Sequence, residues 1–502
     1  IKLFIMAINR DINYINKDFN DFRSQLINFS QTYFPNTYTD FSATSPGMMF
    51  MEQAAYIGDV LSFYLDNQIQ ENFIQYARQD NNLYELAYMF GYKPKVTGLA
   101  TTTLSFYQLL PAINGGSGMI PDYNYALYID ENTSISTPNG NNFIIEDPID
   151  FTVSNSLDPT TVSIAQISAG EPTYFLLKKD RKSTSGTINT TTFSFGDYQE
   201  FPTVEINASN IAEIIDVVDS NGNKWYEVDY LGQELVFDGI KNTNVNDPNN
   251  YENQDTPYIL KTKQVQRRFT TRFLSQNQLQ LQFGAGKPGD KDEEILPNPN
   301  NVGLGLPFEK NKLTTAYSPT NFIFTNTYGI APSNTTLTVR YLTGGGVSSN
   351  VEANSLTNLN TNNIRFLKSN LNASTSNYIF GSLSVNNLEA ASGGEDGDTI
   401  EELRQNTLSN FNSQMRNVTA DDYLIRALSM PGKYGIVSKA YTQKPDVNDS
   451  GSTLDLYVLS YNGDKKLNLA SSTLKSNLKK YINQYRMIGD SLSIKDAFII
   501  NI

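Results

Sequence analysis

The sequence predicts a multidomain α+β protein: an N-terminal helical bundle segment, a central β-rich region with an inserted β-subdomain, and a small C-terminal α/β domain. Three observations carry this. Apolar residues recur at helical spacing up to Pro94, alternate with polar ones from about Val96 to Leu388, and return to mixed periods after Gly393. The 502 residues suit about three domains of roughly 150 residues each. The expected boundaries are 6–94, 95–390 and 391–502. Met6 reads as the natural start, with Ile1–Ile5 upstream of it. The last domain reads as continuing past Ile502, because "SIKDAFIINI" stops inside an apolar strand pattern.

The first helix is expected over Ile12–Phe34, from Ile15, Phe19, Phe22, Leu26 and Phe29, and Pro35 ends it. Ser45 is placed to cap the second, with Pro46 at its first position, where a missing N–H costs nothing. Phe50, Ala54, Ile57, Leu61 and Leu65 make one stripe there, widened by Val60 and Tyr64. Gly58 costs about 1 kcal/mol against Ala in a helix interior, which points to a close helix crossing. Phe73, Ile74 and Ala77 open a further helix. Leu83, Leu86, Ala87 and Phe90 mark the last, stopped by Gly91 with Pro94 beyond. Met48–Met51 run without a polar break, and Tyr56, Phe63 and Tyr64 lie off the stripe. A helix apolar on more than one face needs burial on more than one face. Met48, Phe50, Met51, Ile57, Leu61, Tyr64 and Leu65 are therefore the candidate interface of a helical bundle, although a wholly internal core also accounts for part of the pattern.

The central region reads as short strands separated by Gly, Asn and Pro turns, with a tight hairpin at Asp219-Ser220-Asn221-Gly222. Lys241–Pro257 and Gly286–Pro307 read as polar loops, and Thr335–Leu342 as a strand. After it, Asp398 with Glu401 suggests a capped helix to about Gln414, and Thr419 with Asp422 a second to Ser429. Strands Ile436–Tyr441 and Leu454–Tyr461, a helix over Asn468–Arg486 and a strand Ser491–Ile500 complete an α/β unit.

Composition excludes much chemistry. The chain has no Cys and no His, which removes disulfides, thiolates, His triads and nearly all zinc sites. A net charge of −14 argues against non-specific nucleic-acid binding, and no apolar run is long enough for membrane insertion. Lys261–Arg272 is the one basic stretch, read as a strand pair with a solvated basic face. "GAGKPGD" fails as a phosphate loop, since Pro288 follows Lys287 and no helix pattern follows; Gly284 and Gly286 are structural turns. Gly344, Gly345 and Gly346 read as a close backbone approach or a bent strand. The acidic "GGEDGDTIEE" complements a helix start. Glu227 with Asp229, and Glu146 with Asp147, are the carboxylate pairs a glycosidase would require, but ordinary strand alternation explains them. No catalytic, cofactor or metal residue is assigned.

Four collinear stretches resemble the baseplate J-like family, in its T-even-type branch. They are "SPGMMFMEQAAYIGDVLSFYLD" with "ENFIQYARQDNNLYELAYMFGYKPK", where Phe90 replaces the usual Leu; "KWYEVDYLGQELVF"; "LQFGAGKPGD" with "VRYLTGGGVSSNVEAN"; and "GGEDGDTIEELR" with "NVTADDYLIRALSMPGKYGIVSKAY". The resemblance implies a virion protein of a contractile phage tail baseplate, assembled in the host cytoplasm and without catalysis. It implies a homodimer within a wedge, N-terminal helices bundled with other baseplate wedge proteins, and contacts to neighbouring wedges that close a six-fold ring around the tail hub or sheath-initiating proteins. The ring transmits the trigger for sheath contraction. Two alternatives stand beside it: a tail fibre or tailspike protein that binds or hydrolyses glycans, and the equivalent baseplate protein of a contractile injection system.

Overall fold

The computed structural model describes residues 18–116, 118–155, 158–241, 258–287, 293–295, 323–325, 328–443 and 453–499. The fold is multidomain α+β, with N-terminal helices, a large β-rich region and a C-terminal part of mixed helix and strand. The chain divides into two compact units. One holds the residues up to Pro94 together with Thr399–Asn412, and the other holds Lys95–Asp398 and Ser413 onward.

In the first unit, α1 (Phe19–Tyr33) starts at a reciprocal capping box between Asp18 and Asp21. The expected residues 12–17 lie outside the described ones. Helix α2 (Pro46–Gln70) has Ser45 at its N-cap and Pro46 at its first turn. Ser45 makes no side-chain cap bond, because its hydroxyl pairs with the Tyr38 hydroxyl at 2.8 Å. Gly58 lies under α1, where an added Cβ would meet the Phe22 ring at 3.2 Å. The Arg23–Glu52 ion pair, at 2.9 Å, pins the same crossing. Phe73–Ala77 do not begin a helix. They form turns, and the Arg404 guanidinium takes the Ile74 and Ala77 carbonyls at 2.7 and 2.8 Å. Helix α3 (Asp80–Met89) stops at Gly91, whose φ of +79° lets Tyr92 donate back to the Ala87 carbonyl.

The second unit is built on the antiparallel pair Thr101–Asn114 and Glu171–Ser185, in register from Thr101↔Thr184 to Pro111↔Tyr174. Ser384–Asn387 flanks it on one side; Asn142–Ile145, Ser134–Ser136 and Asn358–Leu359 follow on the other. Leu104, Phe106, Phe143 and Phe151 fill its core, with Ile379 from α4 (Ala373–Ser382). A seven-stranded sheet, formed within Thr187–Thr343, is inserted between these strands. Its strand Gln278–Phe283 alternates strictly, turning Leu279, Leu281 and Phe283 inward against Trp225 and Val339. The chain enters and leaves this insertion through one close contact: a Cβ on Gly344 would sit 2.7 Å from the Gly186 Cα. The Asp219–Gly222 turn closes the hairpin between Ile211–Asp219 and Lys224–Glu227 as expected, with Gly222 at φ +80°.

Helix α5 (Ile400–Ser413) is capped by Thr399 and Glu402 rather than by Asp398 and Glu401. Asp398 is drawn away: it accepts from the Lys95 backbone N–H at 3.1 Å and pairs with the Lys95 ammonium at 3.3 Å. Helix α6 (Ala420–Leu428) keeps the expected Thr419–Asp422 capping box. Strand Thr453–Tyr461 then pairs antiparallel with Lys439–Gln443 and parallel with Ser491–Asp496. Helix α7 (Ser472–Ile482) is shorter than expected, because Leu467–Leu469 pairs with Thr453–Tyr461 and Ser471 caps the helix. Leu474 and Leu478 pack with Tyr423, Ala427 and Leu456 in one core. Most of the loops expected at Lys241–Pro257 and Gly286–Pro307 lie outside the described residues.

Candidate functional site: an outward apolar helix face

Helix α2 is inverted for a surface helix. Its side chains buried within its own unit are Met48, Ala55, Ser62, Asp66 and Gln70, small or polar after the first turn. Its bulky apolar side chains point outward. Phe50 is 64% exposed, Ile57 54%, Leu61 56% and Tyr64 61%, and Leu65, Tyr56, Phe63 and Met49 are similarly exposed. Phe50, Ala54, Ile57, Leu61 and Tyr64 follow one another at spacings of four and three, the seam pattern of helices that pack side by side. Monomers rarely expose contiguous apolar patches of this kind unless they mark an interaction site.

Of the candidate interface residues, Phe50, Ile57, Leu61, Tyr64 and Leu65 lie on this outward face. Met51 is half-buried. Met48 is a correction: it is fully buried, on the side of the helix opposite the seam with Ala55 and Ser62, so the face does without it. Met49, Tyr56 and Phe63, seven residues apart, extend the face beyond the candidate set. Their heptad spacing was the signal for them.

The other positions singled out fall elsewhere. Gly344, Gly345 and Gly346 all have positive φ, and a Cβ on Gly345 would meet the Gly98 carbonyl at 2.4 Å. Gly284 packs against the Gly329 carbonyl, and the Gly286 N–H donates to that same oxygen. Arg268, in the basic stretch, is not on a solvated face; it is fully buried and donates to the carbonyls of Leu231 and Val265. Glu227 accepts from the Thr271 hydroxyl. Among the described residues no group of three or more Asp or Glu side chains is placed to hold a metal ion, and no helix is long and apolar enough to cross a membrane.

Residues 18–89, which include all of α2, match the family model described as the N-terminal domain of a bacteriophage baseplate protein. No curated protein matches the chain. Among solved structures, the chain is similar to one in the anti-feeding prophage (AFP) baseplate, 6-fold symmetrised, at 10% identity and a TM-score of 0.20, covering 94% of this chain and 70% of that one. A likeness of that degree carries no argument. The match over residues 18–89 supports a phage baseplate protein with a structural role, and it includes the helix that bears the exposed apolar face.

Proposed function

We propose that this protein is a structural scaffold of a contractile phage tail baseplate, and that the outward face of α2 is where it assembles. The observation that carries this is the inversion of α2: a helix within the baseplate-matching segment that turns Phe50, Ile57, Leu61, Tyr64 and Leu65 away from its own unit. The first occupant of the face is a second copy of α2, giving a homodimer within a wedge. Other wedge proteins add helices to the bundle, and neighbouring wedges, the hub or sheath-initiating proteins complete a six-fold ring that passes on the contraction trigger. Head-to-tail contacts that close by rotation give rings. The protein sits in the virion tail and performs no catalysis.

Light scattering on the purified chain, alone and mixed with candidate wedge neighbours, tests this. A dimer that grows into a defined hetero-complex supports the scaffold. An indifferent monomer or a trimer overturns it and turns attention to glycan binding.

A further inference from the structure

A recess in the second unit lies where its three sub-folds meet. Its walls come from the end of strand Asn142–Ile145, from strand Glu171–Ser185, from the inserted strand Ile211–Asp219 and from α7 with the turn at Lys433. Its volume is about 420 Å³, within the roughly 300–1,000 Å³ typical of small-molecule sites. Five charged side chains face it: Glu146, Lys182, Glu213, Lys433 and Lys480.

Two of these balance each other. Lys433 lies 3.8 Å from Glu213. Burial opposes its charge, but Tyr434, Glu213 and Glu227 together hold it above lysine's usual value. Burial pushes Glu213 up by more than Lys433 lowers it, as a contact this long allows. The other three are two ammoniums and one carboxylate, which act on each other at a distance and leave one positive charge over. The Lys182 ammonium donates to two neutral oxygens, Ser476 Oγ and Asn477 Oδ1, both at 3.2 Å. Burial, and then the neighbouring Lys480 ammonium, lowers its pKa. Among the described residues, neither Lys182 nor Lys480 has a carboxylate within 4 Å. Glu146 stands in the same recess, pushed up chiefly by burial. Glu146, with Asp147 behind it, offsets part of the repulsion between the two ammoniums without touching either; an anion seated between them would relieve the rest.

We propose that this recess binds a phosphate group, free or as a monoester, seated between the Lys182 and Lys480 ammoniums. A dianion matches two ammoniums where a single carboxylate meets one, and lysine binds phosphate as a point charge. Glu146 and Glu213 oppose the anion, and burial, which pushes both up, weakens that opposition. Thr184, on the strand wall, offers a further hydroxyl donor. The recess is larger than one oxyanion needs, which leaves room beside Tyr434 for an organic body.

The test is phosphorus NMR of the full chain titrated with inorganic phosphate and, separately, phenyl phosphate, against sodium chloride at equal ionic strength. Saturable broadening is expected, weakened at least tenfold by Lys480→Gln and by Lys182→Gln, and unchanged by Lys465→Gln outside the recess. Lys480 is solvent-exposed, so its variant keeps the fold, and an unchanged melting midpoint verifies this. Tighter phenyl phosphate binding assigns the monoester, and equal affinity assigns the free ion. Absence of saturation, or undiminished binding in the two recess variants, overturns the proposal.

Discussion

At the scale of single residues, Lys179 shows how this molecule uses charge inside. Its side chain is fully buried, and its ammonium donates to the carbonyls of Asp150 and Val153 at 2.8 and 2.6 Å and to Thr160 Oγ1 at 3.1 Å. Asp158 pairs with it at 2.9 Å. Asp150, Val153, Asp158 and Thr160 thus ring a cation supplied by the neighbouring strand, and a buried charge so ringed is tolerated because every proton has an acceptor. Burial lowers Lys179 from its usual value, and Asp158 offsets part of that. Lys179→Met keeps the volume but orphans these acceptors; a loss of roughly 2–4 kcal/mol is expected from denaturant unfolding. Asp158 supplies a pH signature. Burial raises it, but Arg181 and Lys179 outweigh burial and hold it below the usual carboxylate value. A carboxylate depressed in the fold contributes stability that is complete above its unfolded pKa, near 3.9, and is lost as pH falls through the lower folded value. Acid unfolding below about pH 4 should therefore be steeper in the wild type than in Asp158→Asn. Equal slopes would remove Asp158 from the account.

At the scale of elements, α2 separates folding from assembly. Leu61 touches solvent over more than half its surface, so Leu61→Asp should leave the melting midpoint of the isolated chain within about 0.5 kcal/mol of wild type. It should also abolish self-association in sedimentation. A variant that still dimerises moves the interface elsewhere. Gly58 serves the interior instead. Alanine there gains about 1 kcal/mol of helix propensity, but its methyl would press on Phe22 Cγ and Cδ1, the fixed end of the ring. Gly58→Ala is expected to lose about 1 kcal/mol net, and Phe22→Leu in the same chain to recover most of it. Much of this element was legible beforehand. Its start, its apolar spacing and the crossing at Gly58 follow from local rules. Which side meets its own unit was not legible: Ser62, Asp66 and Gln70 are polar and yet buried, which helical spacing alone does not reveal. The cap of α5 was missed for a similar reason, since Asp398 satisfies Lys95 across three hundred residues of chain.

At the scale of the whole molecule, the first unit is discontinuous in sequence. Arg404 and Asn410 of α5 reach back to the carbonyls of Ile74, Ala77 and Gly91, and Phe411 meets the Phe90 ring edge-on at 5.3 Å. A fragment ending at Pro94 should therefore lose helicity by circular dichroism and regain it when a peptide of residues 399–412 is added. Full helicity without the peptide would make α5 dispensable. Periodicity cannot reveal such a partnership, because both segments look like ordinary amphipathic helices. The same limit hid the charged recess, whose residues Glu146, Lys182, Glu213, Lys433 and Lys480 come together only through folding. The glycine contact at the base of the inserted sheet has a further consequence. With Gly186 and Gly344 in touch, the ends of the insertion almost meet, so the chain leaves the host fold and rejoins it at nearly the same place. A module attached in this way can be gained, lost or exchanged through one recombination that joins those two codons, with the host strands keeping their register. Lineages built on this scaffold are free to diverge most in the outer sheet while the frame that carries it stays the same.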